Sequence, residues 1–198
     1  MIFALENGRM IPKRDKIFEL NARAKEMIKK HGRDRVINGT IGALLDDEGE
    51  LAVIIGKRGS NIAAEDAMKY VYGYTIINDV TARDLQKKHA QWFRGKSLDT
   101  FCPMGPTVMV GSWPVPFTIY TKVNGHLRQE GSTADLIFSI PKLIEVLSSG
   151  MTLLPGDVIA TGTPQGVGMG MNPPQFLRKG DEVEITIDPI GTLRNKVK

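Results

Sequence analysis

Glu48-Gly49-Glu50-Leu51-Ala52-Val53-Ile54-Ile55-Gly56 sets two acidic side chains at the head of an unbroken apolar run. The run reads as a buried strand that Gly56 ends. Alternate strand residues share a face, so Glu48 and Glu50 point the same way. A second run, Gly73-Tyr74-Thr75-Ile76-Ile77-Asn78-Asp79, also ends in an acid. If Asp79 meets the glutamates in space, three carboxylates repel one another unless a hard cation joins them. Mg2+, Mn2+ and Ca2+ are the usual choices for such oxygen ligands.

Outward from these runs the chain reads as mostly β with short helices, an α+β pattern. Residues 63–72 form a short helix with Glu65 and Asp66 in its first turn. Thr81 caps a helix through Gln86, with Asp84 at the third following position. Asn124-Gly125 joins two strands, Phe117 to Val123 and His126 to Gln129, as a hairpin. Pro141 opens a helix that Gly150 closes. Two similar turns, Leu154-Pro155-Gly156-Asp157 and Arg178-Lys179-Gly180-Asp181, lead into the strands 158–161 and 182–187. Before all this, residues 15–30 carry helical spacing through Ile17, Leu20, Ala24 and Ile28.

The chain has 198 residues, enough for one domain with a sizeable core. No apolar run approaches the roughly 18 residues that span a bilayer, and the start turns acidic too soon for a secretion signal. A single cysteine, Cys102, makes no internal disulfide, so a cytoplasmic setting is expected. The net charge of +4 comes from scattered basic residues without interleaved aromatics. That argues against a nucleic-acid platform and suits attraction of small dicarboxylates.

Several residues could carry chemistry beside the acids. Arg83 and Gln86 are three apart and share a helix face, which would turn a guanidinium and an amide toward Asp79. Arginine suits a two-point grip on a carboxylate. Lys96, in Gly95-Lys96-Ser97, could neutralise an enolate. The loop Gly162-Thr163-Pro164-Gln165-Gly166-Val167-Gly168 could bring backbone N–H groups close to an anion. It is neither a phosphate-binding Walker loop nor a dinucleotide fingerprint. His89 and His126 have no partners at ligand or triad spacing, and Cys102 reads as a small core residue.

Together these pieces resemble the fumarylacetoacetate hydrolase family. The resemblance runs from about Glu48 to Val197 and rests on six stretches in order. They are EGELAVIIGK (48–57), GYTIINDVTARDLQ (73–86), GKSLDTFCPMGP (95–106), VNGHLRQEGSTADLIFSI (123–140), LLPGDVIATGTPQGVG (153–168) and FLRKGDEVEITIDPIGTLRN (176–195). The wording around residues 83–106 is similar to the bacterial 2-hydroxyhepta-2,4-diene-1,7-dioate isomerase or acylpyruvate hydrolase branch. The resemblance implies a mixed β-roll, a homodimer, and a Mg2+ or Mn2+ site from Glu48, Glu50 and Asp79. It implies that Arg83, Gln86, Lys96 and Thr163 contact the substrate, with Arg83 and Lys96 carrying the catalytic roles. The implied chemistry is hydrolysis, isomerisation or decarboxylation of small 2-oxo or 1,3-dicarbonyl acids through an enolate.

Residues 1–47 depart from that pattern. Family members carry a His with a nearby Glu as general base well before the paired glutamates, whereas this segment has His31 with Asp34. Lys13 to Gly49 instead resembles the N-terminal segment of class I aminotransferases, notably in RVINGTIGALLDDEG (35–49). The expectation is an atypical segment over 1–47 joined to a catalytic domain over 48–198, with the seam near residues 47–50. Hydrolysis would then be impaired, leaving enolisation or decarboxylation, or a fold remnant that binds metal and dicarboxylate or only dimerises.

Overall fold

The structure is a computed structural model and describes residues 3–4, 10–11, 44–89, 91–111 and 116–198. Two compact units divide the chain, Met1–Ala43 and Leu44–Lys198. In the first, β1 (Phe3–Ala4) pairs antiparallel with β2 (Met10–Ile11). The expected helix over 15–30, and His31, lie outside the described residues.

The second unit is mostly β with few short helices, as its patterning predicts. One four-stranded sheet has the order β10 (Val158–Ala160), β4 (Gly49–Ile55), β5 (Val71–Asn78), β7 (Met104–Val110). The other has the order β12 (Gly191–Lys196), β11 (Glu182–Ile187), β8 (Thr118–Val123), β9 (His126–Ser132). A short ladder joins β3 (Leu45–Asp46) to β6 (Thr81–Ala82). Neighbouring strands pair antiparallel throughout these ladders.

Alternation along β4 decides where the site falls. Leu51, Val53 and Ile55 join Tyr74, Ile76, Ile119, Val183, Ile185 and Ile187 in one core between the sheets. Burying each such side chain stabilises the fold by roughly 1.5–3 kcal/mol. Gly49 belongs to that inner face, where a Cβ would lie 2.2 Å from Thr121 Oγ1. Glu48 and Glu50, one residue out of phase, point away from it. The register sets Gly49 opposite Asn78 and Glu50 opposite Ile77, which brings the end of β5 beside the glutamates.

The hairpin turn has φ of +52° at Asn124 and +79° at Gly125, the double left-handed turn that Asn-Gly favours. The two similar turns close alike. Asp157 Oδ2 accepts from the Leu154 N–H and Asp181 Oδ2 from the Arg178 N–H, each at 2.7 Å. A 3-10 helix (Ala64–Tyr70) replaces the longer helix expected over 63–72, and β5 begins at Val71. The helix expected from Thr81 begins later, as α1 (Arg83–His89). Thr81 itself lies in β6, and its hydroxyl donates to the Asp79 carbonyl instead of capping. Next come α2 (Phe93–Lys96) and α3 (Ile140–Ser148), the latter with proline in its first turn. No helix among the described residues is long and apolar enough to cross a membrane.

Candidate metal centre

Glu48, Glu50 and Asp79 each offer a carboxylate oxygen, and the three oxygens lie within 4.8 Å of one another. Glu50 comes from the start of β4, Glu48 from the residue just before it, and Asp79 from just past the end of β5. The Asp79 N–H donates to the Glu48 carbonyl at 2.9 Å, tying the two segments.

Lys96, at the end of α2, donates to Glu48 Oε2 at 2.7 Å and also to Asp79 Oδ2. Burial alone would lower its pKa, but the hydrogen bonds and charges of Asp79 and Glu48 outweigh that and raise it. The two carboxylates thus favour the charged form of the lysine. Arg83, in the first turn of α1, sits deeper. Its Nη2 donates to Glu48 Oε1, its Nε donates to Asp46 Oδ2 at 3.0 Å, and its Nη1 donates to Gln86 Oε1 at 3.1 Å. Arg83 and Gln86 do share a helix face, yet the guanidinium is directed mainly at protein oxygens. The open rim of the site is the Lys96–Asp79 pair, with side chains 18% and 17% exposed, against 9% for Arg83 and 0% for Asp46.

Glu50 has a different environment. Its Oε2 accepts from the Gly162 N–H at 2.8 Å. Burial pushes its carboxyl up to about 7, against the pull of that N–H, and the charges of Asp79 and Glu48 add to the rise. Asp46, Glu48, Glu50 and Asp79 set four negative charges against the two positive charges of Arg83 and Lys96. When all four carboxylates are ionised, the difference is the charge of one divalent cation. Three hard oxygen donors in this balance fit Mg2+ or Mn2+.

The glycine-rich loop does approach anions, but they are the protein's own. Gly162 serves Glu50, while the N–H groups of Gly168 and Met169 donate to Asp46 at 2.7 and 3.1 Å. The Thr163 hydroxyl accepts from Gln129 Nε2 at 2.7 Å and donates to the Gly49 carbonyl at 2.9 Å. Gln129 also accepts from the Gly49 N–H at 3.1 Å, so loop and β4 are locked together. Sequence reasoning passed over Asp46 and Gln129. Asp46 is in phase with Glu48 and Glu50, and that spacing could have found it; nothing local marks Gln129. Cys102, read as a core residue, is exposed and has a φ of +59°.

Leu44 to Glu48 is integral to the second unit. The Arg83 N–H donates to the Leu44 carbonyl, Leu45 pairs with Ala82, and Asp46 is fully buried. A fumarylacetoacetate hydrolase C-terminal family model matches residues 9–198. That match runs through the seam expected near residues 47–50 and takes in the whole Lys13–Gly49 segment similar to aminotransferases, which gains no support from it. Oxaloacetate tautomerase YisK of Bacillus subtilis is 64% identical over 156 residues, 77% of this chain and 52% of that protein. The chain thus spans about half the length of the curated relatives it matches. A solved fumarylacetoacetate hydrolase from Exiguobacterium antarcticum superposes with a TM-score of 0.78 at 52% identity, over 81% of this chain and 58% of that one. A fumarylpyruvate hydrolase from Pseudomonas aeruginosa, in complex with Mn2+ and pyruvate, superposes with a TM-score of 0.71 at 33% identity, over 78% and 66%. With the acidic trio, the two-sheet core and a family match over nearly the whole chain in agreement, the chain belongs to the fumarylacetoacetate hydrolase family.

Proposed function

We propose that this chain carries out divalent-metal-dependent chemistry on small 2-oxo acids of the acylpyruvate and oxaloacetate type, with keto–enol exchange as its core activity. The observation that carries this reading is the ammonium of Lys96 beside three convergent carboxylates at the open rim. Glu48, Glu50 and Asp79 would hold Mg2+ or Mn2+. When bound, the cation supplies Lewis acidity that polarises a 2-oxo group.

Keto–enol exchange removes one proton from the carbon beside the 2-oxo group and places one on the oxygen, so no water is consumed. Lys96 can donate a hydrogen bond to that oxygen as negative charge builds, an interaction stronger in the transition state than in the ground state. Arg83 orients Glu48 through its Nη2 and leaves limited donor capacity for a substrate carboxylate. Gln86 steadies Arg83, and Thr163 sets the loop that presents the Gly162 N–H to Glu50.

The similarity to an oxaloacetate tautomerase supports enolisation, and the similarity to a fumarylpyruvate hydrolase supports C–C cleavage as a second activity. Both activities need a base, enolisation to accept the C–H proton and cleavage to activate water. His31, the residue considered for that role, lies outside the described residues. The reading brings a homodimer with it, since the edge strand β7 exposes Met104, Val108 and Val110 for a second copy to cover. A monomer by sedimentation at micromolar concentration would remove the dimer from the proposal.

The test is turnover of oxaloacetate and a set of acylpyruvates with Mg2+, with Mn2+, and with chelator. Metal-dependent enolisation or cleavage of any of them supports the reading. No metal-dependent turnover of any would leave a fold that binds metal and dicarboxylate without catalysis.

A further inference from the structure

Asp46 touches none of the three carboxylate groups of the candidate centre, yet it is fully buried and both of its oxygens are occupied. Oδ2 accepts from Arg83 Nε at 3.0 Å and from the Met169 N–H at 3.1 Å, and Oδ1 accepts from the Gly168 N–H at 2.7 Å. Arg83 in turn holds Glu48 Oε1 through Nη2. The connections form a chain of loop amides, Asp46, Arg83 and Glu48, ending on a carboxylate whose other oxygen, Oε2, accepts from Lys96 at the rim. The packing leaves it little freedom. A Cβ on Gly168 would lie 1.9 Å from the Gln175 carbonyl and 2.8 Å from Asp46 Oδ1.

A buried guanidinium with two carboxylate partners adopts one orientation, because its planar fork matches each partner along a different edge. Removing one partner frees the fork to rotate toward the other. Groups that orient a metal's ligands from behind typically change metal affinity about 10–100-fold when altered. We propose that Asp46 is a positioning residue that tunes divalent-metal affinity by fixing Arg83 and, through it, the Glu48 carboxylate. The proposal rests on Glu48 being a metal ligand, as in the functional reading above.

The test is Mn2+ binding by electron paramagnetic resonance and calorimetry, without substrate, on the full chain. Asp46→Asn keeps the shape and an acceptor for Gly168 but loses the charge that holds Arg83. We expect its Mn2+ affinity to fall by about tenfold. Arg83→Lys, whose single ammonium cannot span both carboxylates, is expected to show a similar loss. The double variant is expected to bind no more weakly than the weaker single variant, because both act along one chain. If instead the losses multiply, Asp46 acts on the cation through charge alone and the proposal is overturned. Unchanged affinity in Asp46→Asn also overturns it. Should Asp46→Asn not fold, wild-type affinity in Arg83→Lys overturns it in the same way. Failure of the wild-type chain to bind Mn2+ removes the metal reading itself and the proposal with it, an outcome distinct from a wild-type site that tolerates Asp46→Asn.

Discussion

Lys96 Nζ lies 2.7 Å from Glu48 Oε2, and the same ammonium also reaches Asp79. One tethered cation thus joins two of the three carboxylates that a divalent metal would use. It neutralises their repulsion, and it also competes for their oxygens. Lys96→Met should therefore separate binding from catalysis. Turnover should fall by about 10²–10³-fold, the scale for removing a donor aimed at developing negative charge. Mn2+ affinity should be unchanged or tighter, since two carboxylates lose their internal counter-ion. Calorimetry beside steady-state kinetics checks both. Weaker Mn2+ binding in Lys96→Met would mean that the lysine builds the site and does not compete for it.

Among the described residues Glu50 is the carboxylate of the three with no ion pair to a basic side chain; the Gly162 N–H donates to it. Glu50→Gln keeps an acceptor for that N–H and removes a negative charge from a buried position. The expected result is a loss of Mn2+ affinity of more than about tenfold, with a melting temperature in chelator no lower than wild type. A large drop in melting temperature would show that the carboxylate is structural.

Gly49 stands between the two glutamates because the inner face there has no room. Gly49→Ala places a methyl group 2.2 Å from Thr121 Oγ1 and about 3.2 Å from Ile185. Overpacking of this kind costs about 1–3 kcal/mol, and the strand shift that relieves it would move both neighbouring carboxylates. Denaturant melts should show the destabilisation, and Mn2+ affinity should fall with it. An alanine variant of wild-type stability would contradict the close approach of β4 to β8.

Much of this arrangement was legible beforehand. The strands were visible because apolar runs end at glycines and turn residues, and the acidic pair because its spacing matches the strand period. Asn124-Gly125 announced a hairpin through turn chemistry alone. The edge strand β7 was not announced. Its sequence, Met104-Gly105-Pro106-Thr107-Val108-Met109-Val110, carries a proline and exposes residues on both faces, so the alternation that marks a half-buried strand is missing. A local view of Arg83 sees only Asp79 and Gln86 near it, so its ties to protein carboxylates are not legible there. Its partners Asp46 and Glu48 are separated from it by 37 and 35 positions, and only the ladder of β3 with β6 brings them together. Gln129 was missed for the same reason, since its partners Gly49 and Thr163 lie on different strands and loops.

A pH effect is expected at the Asn124–Asp181 hydrogen bond. Asp181 is held below its ordinary value of 3.8, chiefly by the Asn124 amide, although partial burial opposes this and the Arg178 N–H assists. A carboxyl depressed on folding contributes stability above its unfolded pKa and loses it as pH falls through the folded value. Stability should therefore decline below about pH 4. Asn124→Gly retains the left-handed turn but removes the amide, and should flatten the part of that decline due to Asp181. Denaturant melts between pH 2 and 6 compare the slopes. The group is only partly buried, so solvent screening should keep the effect small, and an unchanged slope would show that Asn124 does not set the acid limit.

The most direct measurement is the rate of oxaloacetate keto–enol exchange, followed by loss of enol absorbance with the wild-type chain. It is read first with Mg2+ or Mn2+ and then after chelation. The expected result is acceleration over the metal-only background, abolished by chelator and restored when metal is returned. Acceleration that persists in chelator, or none above background at saturating metal, would contradict a metal-dependent enolising site at Glu48, Glu50 and Asp79.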